Sequence, residues 1–112
     1  MSTNSYQYLD PAFNLHKGSV VIHKNNSLKH ELAKFFVYWE ETQNGSSLIS
    51  EARFKCGKRA DLFNTSNNTA LEIVHSEGKE SIERKKLEYP CKVIFLEADK
   101  VINYWLNKLN SE

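Results

Sequence analysis

Two acidic residues stand where strands ordinarily hold apolar ones. Asp61 lies within Arg59-Ala-Asp-Leu-Phe and Glu72 within Ala70-Leu-Glu-Ile-Val, segments whose composition predicts β-strands. An ionised carboxylate embedded in such a run is costly unless something nearby compensates it. Thr65-Ser-Asn-Asn reads as the turn between the two segments, so the hairpin register can bring both carboxylates together. Two adjacent acids, with a backbone carbonyl such as that of Ile73 and with water, make a hard oxygen environment suited to Mg²⁺ or Mn²⁺. A cation held there lowers the pKa of bound water and stabilises charge on a phosphodiester, so hydrolysis is the expected reaction. Glu51, on the segment before, is a candidate third ligand.

Basic residues flank this pair in helical spacing. Ser81, Lys85 and Tyr89 fall on one helical face, from which Lys85 can reach back to strands beneath it, while Lys86 points elsewhere. His30 and Lys34 are similarly spaced on an earlier helix, with Glu31 beside them as an outer acid. Each residue also has a plainer reading. Asp61 can pair with Arg59 or Lys58 at a solvent edge, and Lys85 belongs to a charge-laced stretch that suits an exposed surface. Cys56 and Cys91 lack the spacing of a zinc site or a disulfide framework and read as ordinary thiols. Nucleotide-cradling glycine motifs and a nucleophile elbow are absent.

The elements that must position these residues follow from periodicity. Ser27 is a good N-cap, and Leu28, Leu32, Phe35, Phe36 and Trp39 recur at helical spacing up to Asn44-Gly45, with the aromatic stripe read as core. From Ser47 to Lys55 the period becomes two, which predicts Ile49, Glu51, Arg53 and Lys55 on one face and Ser50, Ala52 and Phe54 on the other. Arg59–Asn64 and the run from Thr69 to His75 complete an antiparallel meander. Gly78 to Tyr89 is a charged helix stopped by Pro90, Cys91 to Leu96 a buried strand, and Val101 to Leu109 a closing amphipathic helix. Residues 1–26 read as a loose leader with a possible edge strand over 18–23, and 27–112 as one domain.

A chain of 112 residues with 40% hydrophobic and 26% charged residues is sized for one globular core. Its formal net charge of +1 offers no global basic field, so contact with nucleic acid would need a local patch. Apolar runs fall far short of the roughly 20 residues a membrane span needs, and no secretory pattern opens the chain. A cytoplasmic, intracellular protein is expected.

The order αβββαβ, with Glu51, then Arg59-Ala-Asp61, then Glu72-Ile-Val, is similar to the PD-(D/E)xK nuclease superfamily from about Ser27 to Leu96. The resemblance implies a restriction-endonuclease-like α/β (α+β) fold, a mixed sheet flanked by helices, here with an added C-terminal helix. It makes Asp61 and Glu72 the Mg²⁺ ligands and expects a lysine two positions after the glutamate to orient the attacking water. Val74 occupies that position. Branches of the superfamily carry a displaced lysine, and the Ser81, Lys85 and Tyr89 pattern looks like theirs, which assigns the part to Lys85. His30 and Lys34 resemble a pair that contacts phosphate beside the acids. The expected activity is a Mg²⁺- or Mn²⁺-dependent endonuclease acting on DNA, with a structure-specific junction resolvase as one version of it and a homodimer as the expected assembly. The alternative is a catalytically inactive module that binds nucleic acid or protein, with Val74 recording the loss.

Overall fold

A computed structural model describes residues 7–14, 18–75 and 78–112. Its elements are α1 (Leu28–Gln43), β1 (Leu48–Arg53), β2 (Arg59–Asn64), β3 (Thr69–Val74), α2 (Lys79–Glu88), β4 (Lys92–Glu97) and α3 (Ala98–Asn110). One sheet runs in the order β1-β2-β3-β4, antiparallel across the first three strands and parallel between β3 and β4. The α+β architecture and the αβββαβ order with a final helix are therefore those that periodicity and resemblance led us to expect.

Local chemistry explains the boundaries. Ser27 caps α1 by accepting the His30 N–H at 3.1 Å, and Gly45, at φ +90°, takes the left-handed conformation that closes the helix. Asn68, at φ +54°, makes the β2–β3 turn, a conformation asparagine tolerates better than most residues.

Two apolar layers sandwich the sheet. One joins Ala33 and Val37 of α1 to Leu48, Leu62, Leu71, Ile73 and Ala98. The other joins Ile49, Ala52, Phe54, Ala60, Phe63 and Ala70 to Leu9 and Tyr89. The second layer corrects the alternation expected along β1, because Ile49, Ala52 and Phe54 share a face. The break is at Glu51, whose φ of +51° is a left-handed conformation unusual for a non-glycine residue. It turns the strand so that the residues after it exchange faces.

Further expectations are revised. The strand over Cys91 to Leu96, expected to be buried, is β4 at the edge of the sheet, and none of its residues is fully buried. Residues 18–23 form no strand; the segment is instead tied down by side chains, with the Val21 N–H donating to Ser50 Oγ at 2.8 Å and Ser50 Oγ donating to the Ser19 carbonyl at 2.7 Å. The leader reading fails at Leu9, which is 1% exposed and bridges Phe54; residues 1–6 and 15–17 lie outside the described residues. Phe35 and Trp39 stay half exposed, since α1 turns Ala33, Phe36 and Val37 inward instead, and Phe36 stacks on Trp105 at 5.7 Å.

Candidate functional site

Asp61 and Glu72 sit where the sheet divides. The β2–β3 ladder pairs Asn64 with Thr69, Phe63 with Ala70 and Leu62 with Leu71, then stops, although β2 continues to pair with β1 as far as Arg59. The next rung of that register is Asp61 opposite Glu72. In place of the backbone bonds of that rung, each carboxylate reaches across the gap. The Ile73 N–H donates to Asp61 Oδ2 at 2.8 Å, and the Asp61 N–H donates to Glu72 Oε2 at 2.7 Å. Backbone donors that a ladder would have consumed thus compensate buried charge.

On the α1 side the fork meets a chain of ion pairs. His30 places Nε2 3.2 Å from Asp61 Oδ2 and Nδ1 2.9 Å from Glu31 Oε1. With a carboxylate at each ring nitrogen the imidazolium is the form that satisfies both, and the bond to Asp61 leads in holding the His30 pKa at about 9. Lys34 is fully buried, and its ammonium meets the Val21 carbonyl at 2.7 Å, Glu31 Oε2 at 2.8 Å and Glu51 Oε2 at 3.3 Å. Its three protons therefore have three acceptors. Burial pushes the carboxyl of Glu31 up, but the bond from Lys34, helped by His23, Asn26 and His30, outweighs it and holds Glu31 at about 2. Asp61 is likewise pushed up by burial and pulled below its ordinary value by His30 and the Ile73 N–H.

On the α2 side the balance reverses. Burial, followed by the charge of Asp61, raises Glu72 to about 7, against the opposing pull of Tyr89, the Asp61 N–H and Lys85. Tyr89 Oη lies 2.6 Å from Glu72 Oε1 and 2.7 Å from the Arg59 carbonyl. A phenol has one proton to give. The Tyr89 O–H can donate to either oxygen, and the bond it gives Glu72 favours the ionised carboxylate. Lys85 Nζ approaches the same Glu72 oxygen at 3.5 Å, from a side chain 29% exposed.

The fold therefore gathers Asp61, Glu72, Lys85 and His30 around one gap. Lys34 it places in the interior, enclosed by the Val21 carbonyl, Glu31 and Glu51. Glu51 is opposite Asp61 in the β1–β2 register but turns to Lys34, with Oε1 3.5 Å from Arg59 Nε. That Oε1 is buried without a hydrogen-bond partner. Tyr89, read from sequence only as part of a helix pattern, is the closest side-chain partner of Glu72; its spacing from Lys85 was the signal.

An all-oxygen donor set and two buried carboxyls, one of them raised by burial and then by the charge of the other, suit a small hard cation. Among the described residues, however, no three His, Cys, Asp or Glu side chains converge as a metal-holding group, so the oxygen set is a pair rather than a triad. No described helix is long and apolar enough to cross a membrane. The chain matches no family model, no curated protein and no solved structure.

Proposed function

We propose that the β2–β3 fork is the centre of a divalent-metal-dependent endonuclease of the PD-(D/E)xK type, acting on DNA. The observation that carries this reading is the rung at which Asp61 and Glu72 replace the backbone ladder, with Lys85 Nζ 3.5 Å from Glu72 Oε1. Asp61 and Glu72 would hold Mg²⁺ or Mn²⁺, with Glu51 as a candidate third ligand from β1. When bound, such a cation offsets phosphodiester charge and acidifies water. Lys85, half-buried on α2, has the reach to orient the attacking water in place of the absent strand lysine at Val74. His30 contributes a fixed positive charge beside Asp61, where a phosphate oxygen would gather charge. Tyr89 fixes the rotamer of Glu72. A homodimer would match the two-fold symmetry of duplex DNA.

The test is cleavage of branched, duplex and single-stranded DNA with Mg²⁺ or Mn²⁺. Asp61→Ala and Glu72→Ala should each abolish cutting, and Lys85→Ala should reduce it by about 10²-fold or more. Wild-type cleavage that survives both acid substitutions would overturn the assignment.

A second reading, an inactive module binding nucleic acid or protein, is favoured by the full ion pairing of Asp61 to His30 and by Val74. It predicts no cleavage of any substrate and no calorimetric signal with either cation.

A further inference from the structure

The two margins of the sheet are finished differently. At β1 the chain's own leader occupies the edge. The Asp10 N–H donates to the Arg53 carbonyl at 2.9 Å, Asn14 both donates to that carbonyl and accepts the Arg53 N–H, and the Lys55 N–H donates to the Tyr8 carbonyl at 2.9 Å. Val21 takes up the hydroxyl of Ser50 further along, and Glu51 kinks the strand. These are the devices by which proteins close an edge against other chains.

At β4 none of them is present. All six residues, Lys92–Glu97, pair in unbroken parallel register with β3, and among the described residues no backbone bond is recorded on the other side. The strand is Lys-Val-Ile-Phe-Leu-Glu: four apolar residues, three of them strong β-formers, with no proline, no bulge and no charge between its ends. Ile94 is 38% exposed there, while Val93, Phe95 and Leu96 are half-buried.

We infer that β4 is a self-association edge, pairing antiparallel with β4 of a second copy of this chain about a two-fold axis at Ile94. Two-fold pairing requires that opposed residues turn the same backbone groups toward each other, so the axis must fall on a residue rather than between two. An axis at Ile94 sets Ile94 against its symmetry mate, Val93 against Phe95 and Lys92 against Leu96. The apolar centre meets itself. The basic end of each strand lies alongside the acidic Glu97 end of the other, and like charges are held at opposite ends. The result is one continuous sheet across both copies, with its outer margins closed by the two leaders. This pairing does not depend on the fork being catalytic.

Sedimentation equilibrium of the full chain over a wide concentration range tests it, with amide hydrogen exchange as a second readout. We expect a monomer–dimer equilibrium and slower exchange in 92–97 as the dimer forms. Ile94→Lys sets two like charges across the axis and should weaken association by about tenfold or more, with an unchanged circular dichroism spectrum, whereas Ile22→Lys, near the closed margin, should leave it unchanged. Exchanging the terminal charges, with Lys92→Glu and Glu97→Lys together, should preserve the dimer, and Lys92→Glu alone should weaken it. A chain that stays monomeric at millimolar concentration, with no β4 amide slowed as concentration rises, would overturn the inference and leave the edge open to a strand of another protein. A dimer indifferent to Ile94→Lys, in association and in β4 exchange alike, would overturn it equally.

Discussion

The two sides of the fork hold the same kind of group in opposite states. Facing α1, Glu31 and Asp61 stand against His30 and Lys34 and are held below their ordinary pKa values, Glu31 at about 2. Facing α2, Glu72 meets a phenol, a more distant amine and the negative charge of Asp61, and is raised to about 7. Burial works against ionisation at all three acids, so the difference lies in the neighbours. A cation in direct contact overcomes desolvation, and a neutral hydroxyl beside a like charge does not. The α1 side is thereby an anchor with its charges matched, and the α2 side carries a carboxyl poised to change its charge near neutrality, the property expected of a working group.

The largest effect should come from breaking the anchor. Lys34→Met leaves the carboxylates of Glu31 and Glu51 buried without their ammonium and should cost about 3–5 kcal/mol in urea unfolding. A loss below about 1 kcal/mol would mean that the α1 network contributes no more than a surface pair. Next, Tyr89→Phe removes the hydroxyl shared by Glu72 and the Arg59 carbonyl and should cost about 1–3 kcal/mol. Because the phenol favours the ionised form, the same substitution should move the Glu72 titration further above about 7, read by carboxyl ¹³C shifts. An unmoved titration would remove Tyr89 from the α2 side of the comparison. Ser27→Ala, which uncaps α1 beneath His30, should cost about 1 kcal/mol and leave the Glu72 titration unchanged.

The gentlest perturbation is pH alone. Glu31 gives stability that is present above 4.5 and lost as pH falls toward about 2. Glu72 has the opposite sign: the folded chain keeps a proton that the unfolded chain releases above 4.5, so stability falls as pH rises from there through about 7. His30, raised from 6.5 to about 9, contributes fully below 6.5 and loses that contribution as pH climbs through about 9. Urea midpoints should therefore decline from mildly acidic pH toward alkaline pH. Glu72→Gln should flatten the first part of that decline and His30→Gln the second. A midpoint that rises between pH 4.5 and 7 in the wild type, and not in Glu72→Gln, would reverse the state assigned to Glu72.

Much of the frame was legible because it depends on near neighbours. The Ser27 cap, the strand-forming composition of Arg59–Asn64, the Asn-rich turn and the stop at Pro90 are local, and the structure reproduces each of those elements within a few residues. The opposition of Asp61 and Glu72 was legible for the same reason, since a short turn leaves few registers open. Faces were harder. Glu51 looked like one more alternating position, and only its left-handed backbone shows that Ala52 and Phe54 join Ile49. Lys34 was harder still, because side-chain length and charge ordinarily argue for the surface, yet it is fully buried.

The sequence by itself determined which residues are charged, the order of the helices and strands from α1 to α3, and that two acids would meet across a hairpin, all consequences of spacing along the chain. Tertiary structure decided that the rung between them would open, that Lys34 would lie buried under the Val21 carbonyl between Glu31 and Glu51, and that Tyr89 would close on Glu72. Those outcomes join residues far apart in the chain. The state of a buried charge depends on the groups folding brings within a few ångströms, which spacing along the sequence does not specify.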